Sequence, residues 1–437
     1  MIRMNDIVIN NASLSDLIKP AYTFSDLEEL WKFFQVHGTL TFEIKNNGLY
    51  PAAATGENGV ISGYANTWVR DTVMIANFQF EIGNFNLAVR TVTTLRDYFY
   101  KHRFRFKNII EGKADKNDPM QRPHIRFNGD SLEEIDQKWA HAQNDALGYF
   151  LWFIFKLANT GRYIFNAEDY EICGLFPLYF EAIEYWQDND SGHWEEARKV
   201  GSSSIGVVVA GLKEMKTFLE NQSSKLFTFL DRNIDSEYLN DLIDKGETQL
   251  DTFLPDESPP VRKADGALLF LVYPLEVLSE QRAKDVLNSV FKDLKGDYGI
   301  KRYIGDSYWC ADYKKFLKAE DRTVDFSDDI EKRDKMLQPG QEAQWCIFDP
   351  IVSIIYGKNY LETGNAEDLF QQVYYFNRSL GQITSEDFCS GEGKCPEAYY
   401  IEDTVKGIYV PNDHVPLTWT QANLGTAFDY LKRSLTI

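Results

Sequence analysis

Apolar residues recur at helical spacing along most of this chain. Leu27, Leu30, Trp31 and Phe34 share one helical face, and residues 25–28 before them have the form of a capping box. The same periodicity predicts further helices over 71–82, 85–100, 132–157, 167–186, 203–219, 279–294, 342–356, 359–380 and 416–431. Two short strands are expected, at 39–44 and 301–304.

Helices joined by short links, with longer loops between pairs, favour hairpins that close into a ring. We therefore predict an all-α toroid in which residues 1–24 form an N-terminal arm and residues 25–437 form one domain. No repeat is detectable between the hairpins, so the ring is not inferred from repetition. The charge-rich stretch 320–334 is interpreted as an acidic loop that projects from the surface.

The composition of the chain narrows the classes of function that it can have. A net charge of −20 argues against binding to nucleic acid or to an anionic membrane surface. Aromatic residues make up 14% of the chain, which suits core packing and also stacking against sugars. The six His are scattered, so neither a metal site nor a cofactor is expected.

The cysteine content and the N-terminus bear on the compartment. Five Cys form no C-x-x-C motif, although Cys389 and Cys395 are close enough to pair if oxidised. The N-terminus lacks a signal-peptide pattern, and the longest apolar run, 146–155, is too short to span a membrane. We expect a cytoplasmic protein whose oligomeric state the sequence leaves open.

Three distant segments carry candidate chemistry. Residues 192–196 place two carboxylates directly behind a Trp, where desolvation can keep a carboxyl protonated as a general acid. A Trp-Val-Arg-Asp motif lies upstream at 68–71, and a Pro-Glu-Ala-Tyr-Tyr motif lies downstream at 396–400. Together they indicate a sugar-cleaving site with two carboxylates.

These motifs resemble those of glycoside hydrolase family 15, the glucoamylase family, and those of the glucoamylase-like domain of the phosphorylase kinase alpha subunit. The matching segments are 47–52, 68–71, 143–145, 193–196, 201–203, 301–303, 396–399 and 416–419. The resemblance implies an (α/α)6 barrel, a six-hairpin glycosidase fold, with the site at the wide end of the ring.

The resemblance also implies a reaction. Glu195 would be the general acid and Glu397 the general base of an inverting, exo-acting hydrolase. Such an enzyme releases β-glucose from the non-reducing ends of α-glucans, glycogen-like polymers or short α-gluco-oligosaccharides. The implied substrate-binding residues are Trp68, Arg70, Asp71, Trp194, Glu196 and Arg302.

Each motif also has a purely structural interpretation. Arg70 and Asp71 could complement a helix dipole, residues 195–196 could be an acidic first turn, and 143–145 could be a satisfied buried polar cluster. Glu392 and Glu402 are alternative bases. A non-catalytic glucan-binding or regulatory module is the alternative function, although such a module would not need Glu397.

Substrate size and linkage are open. No N-terminal β-sandwich and no C-terminal starch-binding module are apparent in the sequence, which favours a short soluble substrate or an intracellular glucan over starch granules. The preference among α-1,4, α-1,6 and trehalose linkages depends on loops that the sequence does not resolve.

Overall fold

The computed structural model describes residues 2–4, 6–53, 63–221, 226–229, 232–335 and 340–436. The fifteen helices of these ranges are α1 (Phe24–His37), α2 (Val69–Glu81), α3 (Phe85–Lys101), α4 (Phe104–Ile110), α5 (Asn144–Asn159), α6 (Ala167–Ile183), α7 (Ser202–Asn221), α8 (Ser236–Phe253), α9 (Leu269–Val272), α10 (Glu280–Asp293), α11 (Tyr313–Phe316), α12 (Ile330–Asp334), α13 (Phe348–Thr363), α14 (Ala366–Gly381) and α15 (Thr418–Ser434).

The strands are short. They are β1 (Ile2–Met4), β2 (Ile7–Ile9), β3 (Thr67–Trp68), β4 (Arg126–Asn128), β5 (Glu133–Glu134), β6 (Leu226–Phe229), β7 (Arg232–Asp235), β8 (Ile300–Lys301), β9 (Gln344–Trp345), β10 (Ala398–Asp403) and β11 (Ile408–Pro411).

Six inner helices form a closed ring. Helix α2 packs on α5, α5 on α7, α7 on α9, α9 on α13, α13 on α15, and α15 returns to α2. An outer helix covers each of them, in chain order α1, α3, α6, α8, α10 and α14. Inner and outer helices therefore alternate along the chain, and the predicted all-α (α/α)6 barrel is confirmed.

The backbones of α5 and α7 approach each other closely in the ring. A Cβ placed on Gly148 would lie 2.9 Å from the backbone of Val207, and one placed on Gly211 would lie 2.9 Å from the carbonyl oxygen of Gly148. Only glycine allows the two backbones to approach this closely. The apolar run in α5 is therefore the core face of an inner helix and is buried on nearly every side.

A buried aromatic residue fills the centre of the ring. Phe270 of α9 is fully buried, and its ring centroid lies 5.2 Å from that of Trp419 on α15. It also lies 5.9 Å from Phe348 on α13 and 5.5 Å from His193. Because these side chains pack against one another, the described residues give the ring a solid floor at this level.

Two small antiparallel sheets lie at the end of the ring where the inner helices begin. One has the order β11-β10-β9-β8, in which Ala398 and Ile300 both pair with Trp345. The other has the order β3-β4-β5, and β3 runs directly into α2. At the chain's start β1 and β2 form a hairpin, and the amide of Asn10 beyond it donates to the carbonyl of Gly381 at 3.0 Å.

Several predicted boundaries are corrected by the structure. The cap of α1 is Thr23, which exchanges hydrogen bonds with Asp26, and not the box predicted at 25–28. Trp31 lies 42% exposed at the edge of the apolar face. The strand predicted at 39–44 is wrong, because this segment is irregular. Of the strand predicted at 301–304, only Lys301 lies in a strand, β8, and Tyr303 forms an isolated bridge with Asp265.

Other corrections concern helix starts. The helix predicted over 132–157 begins at Asn144, because residues 133–134 pair with β4. The helix predicted over 342–356 begins at Phe348, because residues 344–345 pair within the larger sheet. The sequence patterns missed the outer helix α8, the short inner helix α9 and the β10–β11 hairpin. None of the described helices is long and apolar enough to cross a bilayer. All five cysteines are free thiols, with Cys389 exposed and Cys395 buried.

Candidate active site

A cavity opens at the end of the ring where the inner helices begin. Arg70 and Asp71 lie in the first turn of α2, Trp419 lies in the first turn of α15, and Trp345 lies just before α13. Seven of the eight residues that the sequence nominated line this single cavity. They are Trp68, Arg70, Asp71, Trp194, Glu195, Arg302 and Glu397.

Glu195 is held by donors on one carboxylate oxygen. It follows a 3-10 turn with a φ of 56°, a conformation uncommon outside glycine, which turns its side chain towards the cavity. Its Oε1 accepts from Trp68 Nε1 at 2.8 Å and from Gln143 Nε2 at 3.2 Å, with Arg70 Nη2 at 3.5 Å. Burial raises the pKa of Glu195, and Arg70 opposes that shift.

Glu397 is held on both carboxylate oxygens. Its backbone is fixed between two segments, since its amide donates to the carbonyl of His414 at 3.1 Å and its carbonyl accepts from the amide of Cys346 at 2.9 Å. Tyr64 donates its hydroxyl to Oε1 at 2.8 Å, and Asn412 Nδ2 donates to Oε2. Burial raises the pKa of Glu397 to about 7, and the two donors limit that rise.

The polar residues before and within α5 support the cavity from behind. Arg70 Nη1 donates to Asp145 Oδ2 and to Gln143 Oε1, both at 2.9 Å. Gln143 and Asp145 are buried and do not line the cavity, so they orient Arg70 and Glu195. Burial raises the pKa of Asp71 to about 6, with Arg70 acting against it.

Glu196, the eighth nominated residue, lies outside the cavity lining. It is 2% exposed, and its carboxylate contacts Arg302 Nη2 at 3.0 Å, Arg262 Nη2 at 3.3 Å and the guanidinium of Arg333. The hydroxyl of Tyr303 also donates to it. Although burial acts the other way, these three arginines hold the pKa of Glu196 well below its usual range. We call these five residues the Glu196 cluster.

Arg302 and Trp194 join this cluster to the cavity wall. Arg302 Nε donates to Asp306 Oδ2 at 2.7 Å, and its guanidinium lies over Trp194 at 5.2 Å and over Trp345 at 5.0 Å. Trp194 Nε1 donates to Asp265 Oδ1 at 2.8 Å. Their orientations are therefore set by buried carboxylates and not by solvent.

The stretch 320–334 is not a simple surface excursion. Its residues 323–326 line the cavity, and Arg333 reaches into the Glu196 cluster. The charge-rich composition of the stretch did not indicate this role, although Val324 and Phe326 interrupt the charges. The sequence analysis also missed Tyr64 and Asn412. Their hydrogen bonds to Glu397 join positions that the sequence pattern does not connect.

The (α/α)6 barrel is the six-hairpin fold seen in glycosidases, and its cavity is lined by carboxylates. Residues 36–377 match the family described as glycosyl hydrolases family 15, and the chain belongs to this family.

Two relatives share part of the sequence. An uncharacterized lipoprotein, YgeQ, of Escherichia coli (strain K12) is 30% identical over 181 residues, 38% of this chain and 68% of the relative. A probable phosphorylase b kinase regulatory subunit alpha of Drosophila melanogaster is 25% identical over 215 residues, 46% of this chain. This chain matches only 16% of that subunit's length.

Solved structures share the fold at low identity. A glycosidase in complex with glucose superimposes with a TM-score of 0.67 at 16% identity, over 94% of this chain and 99% of the other. A glucoamylase from Saccharomycopsis fibuligera superimposes with a TM-score of 0.57 at 13% identity, over 99% and 98% of the two chains. At this identity the likeness establishes the six-hairpin fold.

The Glu196 cluster predicts a stability effect. Glu196→Ala leaves three buried guanidinium groups without their shared carboxylate, and we expect the free energy of unfolding to fall by about 3–5 kcal/mol. Urea denaturation followed by circular dichroism measures it. The control is Glu220→Ala, which removes an exposed pair with Lys216 and should cost less than about 1 kcal/mol. Unchanged stability with a raised KM would instead make Glu196 a substrate contact.

Proposed function

We propose that this protein is an inverting, exo-acting α-glucoside hydrolase of the glucoamylase type. The observation that carries the proposal is the unequal support of two carboxylates that line one cavity, of which Glu195 is half-buried and Glu397 is buried. Glu195 accepts hydrogen bonds on Oε1, and among the described residues no donor reaches its Oε2. Glu397 accepts on both oxygens.

This asymmetry favours different roles. Donors on both oxygens stabilise the ionised form of Glu397, which suits a base that takes a proton from water. In Glu195 the second oxygen accepts no hydrogen bond from the described residues and is available to carry a proton. We assign Glu195 as the acid that protonates the glycosidic oxygen and Glu397 as the base that activates water on the opposite face of the sugar.

The remaining wall suits a terminal glucose. Arg70 and Asp71 offer a charged donor and a charged acceptor side by side, which can bind neighbouring sugar hydroxyls. Trp68 and Trp194 offer flat apolar surfaces for the C–H faces of the ring. The solid floor formed around Phe270 admits only a chain end, which supports exo-action. One solved neighbour is described as a bacterial glucoamylase complexed with acarbose. An α-gluco-oligosaccharide or a glycogen-like polymer is therefore the substrate that we propose for this chain.

A regulatory glucan-binding module is the second candidate. The similarity to a probable kinase regulatory subunit favours it. Such a module would bind oligosaccharide without releasing glucose. A purely binding site would not require the hydrogen bonds that Tyr64 and Asn412 donate to Glu397.

The stereochemistry of the product tests the proposal. We expect β-glucose as the first product from whichever of maltose, isomaltose, trehalose, maltotetraose or glycogen is cleaved, because the activated water attacks opposite the leaving group. Proton NMR of the anomeric signals, recorded before mutarotation, measures it. Initial α-glucose would mean a retaining mechanism. Oligosaccharide binding without any glucose release would support the regulatory module.

Replacing the acid should affect substrates unequally. Glu195→Gln cannot donate a proton, so we expect kcat on an α-glucoside to fall at least ~10²-fold. The kcat on α-glucosyl fluoride, whose leaving group needs no proton, should fall much less. Glu392→Gln and Glu402→Gln are matched controls near Glu397 and should retain activity on both substrates. An equal loss on glucoside and fluoride would remove the assignment of Glu195.

Replacing the donor to the base should move the pH profile. Glu397 must be ionised to act, so kcat/KM of a neutral substrate should fall as the pH drops through about 7, the pKa to which burial raises it. Tyr64→Phe removes a hydrogen bond that stabilises the carboxylate, so this acidic limb should shift to higher pH.

The matched control for this profile is Tyr360→Phe. Tyr360 lies twelve residues along α13 from its cavity end at Phe348, about 18 Å away at helical rise. The Tyr360→Phe variant should leave the acidic and the basic limb of the pH profile at the parent's pH values. An acidic limb that stays fixed, or moves to lower pH, in Tyr64→Phe would show that Glu397 does not control it.

A further inference from the structure

The segment 322–333 lines the cavity through residues 323–326 and Arg333, and it is anchored at both ends. At one end Arg322 Nη1 donates to Asp413 Oδ2 at 2.7 Å, next to Asn412, which holds Glu397. At the other end Arg333 binds Glu196, and its Nε donates to Ser307 Oγ at 2.9 Å. With both ends fixed, the middle of the segment forms a defined part of the cavity wall.

Asp325 is in the middle of this segment and lines the cavity. Its Oδ1 accepts from the backbone amide of Ser327 at 2.8 Å. Its Oδ2 is buried and, among the described residues, receives no hydrogen bond. A buried acceptor without a donor is unfavourable, so this oxygen is placed to receive a donor that arrives with a ligand.

The position of Asp325 within the cavity follows from its neighbours. Asp328 of the same segment forms an ion pair with Lys138, beside Trp139. The ring of Trp139 packs on Trp68 at 6.1 Å, and Trp68 is the donor to Glu195. Asp325 therefore lies on the Glu195 side of the cavity. In the proposed reaction that side holds the leaving group, because the acid protonates the glycosidic oxygen.

Phe326 completes this part of the wall. Its ring lines the cavity beside Asp325 and lies 5.8 Å from the guanidinium of Arg333. An apolar ring next to an unoccupied carboxylate oxygen suits a sugar, which offers C–H faces and hydroxyl donors.

We propose that Asp325 determines specificity by accepting a hydrogen bond from a hydroxyl of the leaving-group sugar. The inference rests on the proposed hydrolase function and assigns the 322–333 segment to recognition of the second sugar residue. Asp325 would discriminate between substrates by the presence and place of that hydroxyl, because a hydrogen bond to a charged group is lost when the donor is missing.

The test compares a substrate that has a second sugar with one that lacks it. The measured quantity is kcat/KM on the parent's best disaccharide among maltose, isomaltose and trehalose, divided by kcat/KM on α-glucosyl fluoride. In Asp325→Ala we expect this ratio to fall about 10- to 100-fold, the usual effect of losing a hydrogen bond to a charged group. Asp325→Asn keeps one acceptor oxygen and should recover part of the loss.

The matched control is Asp329→Ala, which removes the same charge from the same segment. Asp329 is exposed and contacts Lys332 at 2.6 Å, away from the cavity lining, so the ratio should stay at the parent's value. An unchanged ratio in Asp325→Ala would overturn the inference, whether both activities are kept or both are lost. A folded parent inactive on the fluoride and on every glucoside would overturn the proposed function, and this inference with it.

Discussion

The geometry of the site depends on the neutralisation of one buried carboxylate. Glu196 lies where water cannot solvate it, so its charge requires partners, and these come from three separate segments through Arg262, Arg302 and Arg333. Glu196 directly follows Glu195, so fixing one residue fixes the backbone of the other. Arg302 lines the wall and Arg333 ends the 322–333 segment. Stability and site geometry are therefore coupled through the same ion pairs.

The ring of helices explains how distant residues converge. Every inner helix begins at the same end, so residues just before or within a first turn, such as Arg70 and Trp419, meet around one cavity. The two small sheets add what helices cannot provide there. Glu397 precedes β10, and its amide and carbonyl are both bound to neighbouring segments, so a loop residue gains the rigidity of the scaffold.

The sequence predicted ten of the twelve barrel helices, all but α8 and α9, because the helical period is strong over long inner and outer segments. It misplaced the starts of α5 and α13, because strand pairs of two residues leave no periodic signal before them. Seven nominated residues line the cavity because each lies within a local motif. The contacts of Glu196 and Tyr64 join positions more than 60 residues apart, and sequence patterns within a segment carry no information about such pairings.

The solid floor beneath the cavity has a consequence for how a long polymer would be degraded. In the part of the chain that the structure describes, Phe270 and its aromatic neighbours fill the ring behind the cavity, so substrate and product would share one opening. A glucan bound as proposed would have to withdraw before the released glucose could leave. It could not slide forward by one unit after each cleavage. The enzyme would therefore be non-processive, and it would shorten many chain ends in turn instead of consuming one chain completely.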